Sequence, residues 1–191
     1  MEDTYIGEVI ESSTTEFIAE SRALNGAPPF GAFVKVVSDP ITIIGLVFNV
    51  FTHSIEPNRR PTAYGKTEEE LRLEQPQIFE LLKTEFQAIV LGYQDDGGVR
   101  QLLPPHPARI HSFVYPCLEP DIQAFTSSSD FLRTILNTSR VPADELLIAT
   151  IRSAYGAHGH QEYLIQTGKE LSRLIRDDYD RLSSIIRRIS Q

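Results

Sequence analysis

The amino-acid sequence predicts an α+β protein: a small N-terminal β-barrel of the six-stranded type with a helical insertion, followed by a C-terminal α-helical region. Two observations predict this division. Before about residue 120, apolar residues come in short runs that are rich in β-branched and aromatic side chains and are broken by Gly and Pro. After that point, apolar residues recur at the spacing of amphipathic helices. We therefore expect a barrel domain over residues 1–118 and a helical region over residues 119–191.

Short strands separated by turns are the prediction for the first part of the chain. The apolar runs span residues 5–10, 16–19, 32–37, 41–52, 86–93 and 109–114. Asp39-Pro40 is a turn signal, and Gly97-Gly98 favours a hairpin because glycine adopts positive φ at little cost. A barrel is the expected arrangement because closure removes the exposed edges of so many short strands.

A polar insertion over residues 54–82 interrupts these strands. Thr67 followed by Glu70 is the pattern of a capping box, which predicts the start of a helix. Pro76 is suited to the first turn of a second short helix that extends through Leu82. The barrel is thus expected to carry one or two helical turns on this loop.

Three helices are predicted after the barrel, over residues 130–137, residues 142–155 and about residues 160–189. Gly156 is expected to end the second helix, because glycine commonly follows a helix C-terminus. The last helix has an apolar stripe in which Asp178 lies near the centre. That carboxylate argues against a long coiled coil, so we expect this helix to pack against its own chain.

Composition and charge exclude several functional classes. The 191 residues carry a net charge of −8, which disfavours a role in binding nucleic acid. No apolar stretch approaches the length of a membrane-spanning helix, so no membrane insertion is expected. The start Met1-Glu2-Asp3 lacks the basic character of a targeting segment, which predicts a cytoplasmic protein. Cys117 is the single cysteine, and its apolar neighbours predict a buried, unreactive thiol.

Four segments of the first part carry a resemblance to a known family. They are IGEVIESS at residues 6–13, PFGAFVKV at residues 29–36, IIGLVFNV at residues 43–50 and the proline-rich LPPHP at residues 103–107. Together they resemble the HAS barrel, the small β-barrel at the N-terminus of HerA-type DNA translocases and of rotary ATP synthase subunits. The resemblance implies a barrel that joins subunits into a ring or presents a surface to partner proteins.

The chain departs from those translocases because it lacks their ATPase domain. A phosphate-binding loop requires G-x-x-x-x-G-K-[ST]. Gly65-Lys66-Thr67 has the end of this pattern, but Arg60 stands where the first glycine is needed. The resemblance therefore implies a stand-alone barrel without the motor.

A non-enzymatic protein-binding or assembly module is the predicted function, with a partner protein or a second copy bound through the barrel and the helical tail. The residues predicted to contact a partner are Arg59, Arg60, Arg187 and Arg188. No catalytic residue, metal or cofactor is expected. One alternative is an accessory factor of a DNA-processing translocase or nuclease. Another is a small metal-dependent hydrolase that uses His158 and His160, which are spaced as an H-x-H pair.

Overall fold

Six antiparallel strands close into a barrel in the computed structural model, which describes residues 4–190. The described residues contain seven strands, of which all but β6 form the barrel: β1 (Gly7–Ser12), β2 (Glu16–Ser21), β3 (Phe33–Ser38), β4 (Ile41–Ser54), β5 (Leu82–Asp95), β6 (Gly98–Arg100) and β7 (Phe113–Pro116). Their order is β2–β1–β7–β3–β4–β5–β6, and an additional pairing of β2 with β5 closes the ring. The short β6 extends β5 outside that ring. The predicted barrel of the six-stranded type is confirmed.

The closing strand begins later than the sequence indicates. The run at residues 109–114 predicts a strand, but β7 starts only at Phe113. The residues before it form a turn, in which the Ser112 N–H donates to the Arg109 carbonyl at 3.1 Å and His111 has φ of 70°. β7 then pairs with both β1 and β3. The predicted boundary was wrong because hydrophobicity alone does not distinguish a turn residue from a strand residue.

The insertion between β4 and β5 contains helix α1 (Glu68–Glu74) and a 3₁₀ helix (Pro76–Leu81). The predicted capping box is present. The Thr67 hydroxyl accepts from the Glu70 N–H at 3.3 Å, and the Glu70 carboxylate accepts from the Thr67 N–H at 2.8 Å. Local sequence signals were sufficient here because both partners of each bond lie within one turn.

Five helices follow β7 within the described residues. They are α2 (Glu119–Phe125), α3 (Phe131–Leu136), α4 (Ala143–His158), α5 (Gln161–Leu174) and α6 (Tyr179–Ile189). The expected end of α4 at residue 155 was wrong, because the helix runs through Gly156 and ends at Gly159, which has φ of 69°. No helix in residues 4–190 combines the length and apolarity needed to cross a membrane.

The single last helix predicted over residues 160–189 is instead two helices, and that prediction was wrong. The break falls at residues 175–178. Asp178 caps α6, and its side chain accepts from the Arg181 N–H at 3.0 Å. The apolar spacing continues across the break because both helices place an apolar face against the rest of the chain, so the stripe alone did not reveal the boundary.

Two hydrophobic cores hold the molecule together. The barrel core is formed by inward-facing residues, among them Phe17, Val36 and Phe86. The helix–barrel core joins outward-facing residues of β3, β4 and β5 to the helices. At this junction Gly31 has φ of 80°, and a Cβ there would lie 2.5 Å from the Cβ of Ala149 in α4. Only glycine lets the chain pass this close to α4.

Candidate interaction surface

The outer face of the barrel has two sides that differ in what covers them. On β3, β4 and β5, which we call the covered wall, the outward-facing residues are buried under the helices: Phe33, Ile44, Leu46, Phe48, Ile89 and Leu91. On β2, β1 and β7, which we call the uncovered wall, none of the described residues belongs to the helix–barrel core. Arg140, between α3 and α4, binds Glu16 at one end of the uncovered wall. The rest of this wall is the candidate surface for a partner.

An aromatic pair lies at the end of the uncovered wall where β1 and β7 begin. The ring of Tyr5, just before β1, stacks on Phe113 of β7 with 4.4 Å between the ring centroids. The guanidinium of Arg22 lies 4.8 Å from the centroid of the Tyr5 ring. Phe113 is 44% exposed, and Val37 at the neighbouring end of β3 is 54% exposed. Exposed aromatic side chains of this kind are enriched in protein–protein interfaces.

Acidic side chains lie beside this aromatic pair. Strands β1 and β2 contain no Lys or Arg. The register places Glu8 of β1 directly opposite Glu20 of β2. His111 Nδ1 lies 2.6 Å from Glu8 Oε1, and Lys83 Nζ lies 3.6 Å from Glu20 Oε2. At this end of the uncovered wall, the aromatic pair thus lies beside two carboxylates.

Two of the four predicted partner contacts lie on the insertion. Arg59 and Arg60 line a pocket together with Tyr64, Ile78 and other residues of the insertion. Arg59 Nη1 lies 2.8 Å from Glu56 Oε2, and this hydrogen bond raises the pKa of Arg59. Both arginines are exposed, and a partner contact at this pocket stays a prediction.

The other two predicted contacts lie on α6. Arg187 is exposed, but Arg188 is bound to α4: its Nη1 lies 2.8 Å from Glu145 Oε1 and its Nη2 lies 2.5 Å from Glu145 Oε2. This pair raises the pKa of Arg188 and lowers the pKa of Glu145. Arg188 therefore holds the tail on its own chain, and its role toward a partner stays a prediction.

His158 and His160 meet at the end of α4, but the contacts there are those of packing. His158 Nε2 lies 2.8 Å from the Thr126 hydroxyl, and the His158 ring stacks on Tyr163 with 4.2 Å between centroids. Burial and the nearby His160 lower the pKa of His158. Among residues 4–190, no group of three or more His, Cys, Asp or Glu side chains is placed to hold a metal ion.

Cys117 lies where β7 passes into the helical region, against the helix–barrel core. Its backbone N–H donates to the Phe33 carbonyl at 3.1 Å. Cys117 is half-buried, and desolvation of its thiol raises the pKa to about 12. The unreactive thiol predicted from its apolar neighbours stays a prediction.

Comparison with known proteins adds the lineage of the barrel. A family model described as the HAS barrel domain matches residues 6–96, from the start of β1 to the end of β5. Residues 6–96 are a HAS barrel domain. The strand β7, which completes the ring between β1 and β3, lies beyond the HAS barrel match. No curated protein matches the chain.

The sequence did not identify the uncovered wall as a site. Its aromatic pair joins Tyr5 to a residue near the far end of the barrel domain, and only the pairing of β1 with β7 brings the two together. The alternation of Phe113, Val114 and Tyr115 does indicate that Phe113 faces away from the core. That signal shows which residues face outward, but not which part of the outer face the helices leave open.

Proposed function

We propose that this chain is a non-enzymatic protein-binding module that docks on a larger protein complex through the uncovered wall of its HAS barrel. The observation that carries the proposal is the Tyr5–Phe113 stack, in which Tyr5 is half-buried and Phe113 is exposed, on the side of the barrel that lies outside the helix–barrel core. Exposed aromatic residues on an otherwise folded surface mark contact sites. HAS barrels occur in multi-subunit complexes, which supports the same reading.

The helical tail supports this assignment because it is engaged within the chain. Leu182 and Ile185 of α6 are buried in the helix–barrel core. Arg181 Nη2 lies 2.6 Å from Asp144 Oδ1 of α4, beside the contact between Arg188 and Glu145. A partner would have to displace these contacts to use the buried face of α6, whereas the uncovered wall needs no rearrangement.

Charge pairing supports a protein partner over nucleic acid. A DNA-binding face needs arginines and lysines that are available for phosphates. Many arginines of this chain already contact carboxylates, in the pairs Arg59–Glu56, Arg72–Glu68, Arg140–Glu16, Arg173–Glu170, Arg181–Asp144 and Arg188–Glu145. With a net charge of −8 in addition, we place the protein in a complex rather than on DNA, and we propose the cytoplasm as its location.

Affinity purification with matched surface variants tests the proposal. The tagged chain is isolated at moderate salt from the cells that make it, and the co-purifying proteins are quantified for the wild type, Phe113→Glu and Leu73→Glu. Leu73 is 86% exposed on α1 of the insertion. Leu73→Glu therefore makes the same kind of substitution, an exposed apolar residue to Glu, at a site away from the uncovered wall. We expect Phe113→Glu to lose a defined set of proteins that the wild type and Leu73→Glu retain. Retention of the same set by Phe113→Glu, with unchanged circular dichroism, would contradict the proposal.

A further inference from the structure

We propose that the uncovered wall takes a basic segment of a partner protein, in which Arg or Lys side chains flank an apolar one. Glu8 and Glu20 receive the cationic group, and the exposed ring of Phe113 receives the apolar side chain. This inference rests on the proposed function and adds the chemistry of the partner.

The register of β1 and β2 gives the first argument. Side chains directly opposite each other on antiparallel strands are close neighbours, and like charges in that position destabilise the sheet. Glu8 and Glu20 are such a pair. Glu8 Oε1 lies 2.6 Å from His111 Nδ1. Glu20 has the more distant partner, because Lys83 Nζ lies 2.5 Å from Glu85 Oε1 but 3.6 Å from Glu20 Oε2. A cation supplied by a partner would therefore interact mainly with Glu20.

The shape of the wall gives the second argument. A cleft between β1 and β2 is lined by Tyr5, Gly7, Glu8, Ile10, Glu20, Ser21 and Arg22. The guanidinium of Arg22 lies over the Tyr5 ring, so Ile10 is the apolar side chain left for a partner. Lys and Arg bury their aliphatic stems on apolar surface while their charged ends bind elsewhere. The stem of such a side chain would lie against Ile10, with its charge between Glu8 and Glu20.

Charge also distinguishes a basic partner from a second copy of this chain. In a two-fold symmetric contact, the same patch lies against itself. Such a contact would place Glu8 and Glu20 against the same carboxylates of a chain that also carries a net charge of −8. Opposed like charges disfavour that pairing, whereas a basic segment is complementary to the wall.

A peptide titration followed by NMR tests this inference. The probes are three end-capped pentapeptides, Arg-Leu-Arg-Leu-Arg, Gln-Leu-Gln-Leu-Gln and Glu-Leu-Glu-Leu-Glu, added to the ¹⁵N-labelled full chain at low salt. We expect the basic peptide to shift amide signals of β1, β2 and β7 and to bind at least fivefold more tightly than the neutral one. We expect no saturable binding of the acidic peptide.

Two double variants remove the same number of charges in different places. Glu8→Gln/Glu20→Gln should weaken binding of the basic peptide at least fivefold. Glu69→Gln/Glu80→Gln, at exposed positions of the insertion, should bind it as the wild type does. Because the opposed charges are gone, the first double variant should also unfold at the same temperature as the wild type or a higher one. A clearly lower unfolding temperature would identify the pair as structural and overturn the inference.

The outcomes separate this inference from the proposed function. Equal loss of binding in the two double variants, or shifts centred on α1, would show attraction to net charge and overturn the basic-partner inference. Equal binding of the neutral and basic peptides at the uncovered wall would overturn it too, but would leave the wall as a docking surface. The proposed function itself is tested separately, by the Phe113→Glu purification.

Discussion

The two walls of the barrel share one backbone architecture and differ in their outward-facing side chains. On the covered wall, β4 contributes Ile44, Leu46 and Phe48, each at most 5% exposed. On the uncovered wall, β1 and β2 present Glu8 and Glu20 outward. A strand that is buried on both faces reads as a continuous apolar run, whereas a strand buried on one face alternates. The strands of the covered wall are thus apolar on their outward face as well as on their inward face, whereas those of the uncovered wall are apolar mainly on the inward face.

That difference suggests separate roles for the two walls, stability for the covered wall and binding for the uncovered wall. The covered wall contributes to stability because its outward side chains form a core with the helices. On the uncovered wall no outward side chain among the described residues belongs to that core, and Phe113 of the aromatic pair is exposed. Substitutions on the two walls should therefore have opposite profiles: loss of stability on the covered wall, and loss of binding with little change in stability on the uncovered one.

Thiol reactivity should differ most between Cys117, which packs against the helix–barrel core, and a cysteine placed on the uncovered wall. A pKa of about 12 for Cys117 reduces its thiolate fraction at pH 8 by about a thousandfold relative to an ordinary thiol. We expect iodoacetamide to modify Cys117 at least a hundredfold more slowly in the native protein than in urea. The thiol introduced by Phe113→Cys in a Cys117→Ser background should react at the rate of an exposed cysteine. Similar rates for the two thiols would mean that the region around Cys117 is open.

The raised pKa of Cys117 also predicts a pH dependence of stability. Below the ordinary pKa both folded and unfolded chains keep the proton, so this group does not make stability vary with pH. As the pH rises toward 12, the unfolded thiol ionises while the folded one does not, and the free energy of unfolding falls. Cys117→Ser should reduce that fall in urea titrations at alkaline pH. An unchanged alkaline slope would contradict the buried thiol.

Truncating one phenylalanine on each wall should affect stability unequally. Phe33 is 3% exposed and contacts the rings of Phe125 and Phe131, at centroid distances of 6.3 and 6.4 Å. Phe33→Ala should lower the free energy of unfolding by about 3–5 kcal/mol, because it leaves a cavity under the helices. Phe113→Ala, on the exposed side, should cost about 1 kcal/mol or less. Chemical denaturation measures both, and equal losses would show that the uncovered wall is also a structural core.

A methyl group at Gly31 should disrupt the junction between the barrel and α4. Gly31→Ala adds an atom 2.5 Å from the Ala149 Cβ at a residue with φ of 80°, so we expect a loss of about 2 kcal/mol or more. Gly65→Ala is the matched control, because Gly65 has φ of 66° but nothing within 4 Å of an added Cβ. Gly65→Ala reports the backbone strain alone, about 1 kcal/mol. If the two variants lose equal stability, the contact with α4 contributes nothing.

The cap of α6 should have the smallest effect of the substitutions on the covered side. Asp178→Ala removes the acceptor for the Arg181 N–H and should cost about 1 kcal/mol. Asp178→Asn keeps an acceptor at the N-cap and should cost less. Comparing the unfolding temperatures of the two variants separates the contribution of the capping hydrogen bond from the contribution of the negative charge. Equal destabilisation by Ala and Asn would show that charge, not capping, is the contribution of Asp178.

Local signals explain what the sequence could predict. The capping box of Thr67 and Glu70 and the hairpin at Gly97-Gly98 each involve residues within a few positions of one another. The strands of the barrel could be predicted because turns separate them. The break before α6 could not, since the apolar stripe is continuous and Asp178 reads equally as a polar interruption or as a cap.

The candidate site depends on long-range pairing, so the sequence revealed little of it. The predicted contacts Arg59 and Arg188 each belong to a pair of adjacent arginines in the sequence, and each has a carboxylate partner in the fold. Tyr5 and Phe113 meet only because β7 returns to lie beside β1. Whether helices cover this pair depends on where the helices pack. They pack on outward side chains of three other strands, β3, β4 and β5.

Hydroxyl-radical footprinting of the complex that co-purifies with the chain tests the central claim most directly. Oxidation of Tyr5 and Phe113 is compared between the free and the bound protein, with Tyr64 of the insertion and Tyr179 of α6 as internal controls; Tyr64 is 46% and Tyr179 77% exposed. The account predicts that Tyr5 and Phe113 become protected in the complex while Tyr64 and Tyr179 do not. Protection of Tyr64 or Tyr179 with Tyr5 and Phe113 unchanged would contradict it.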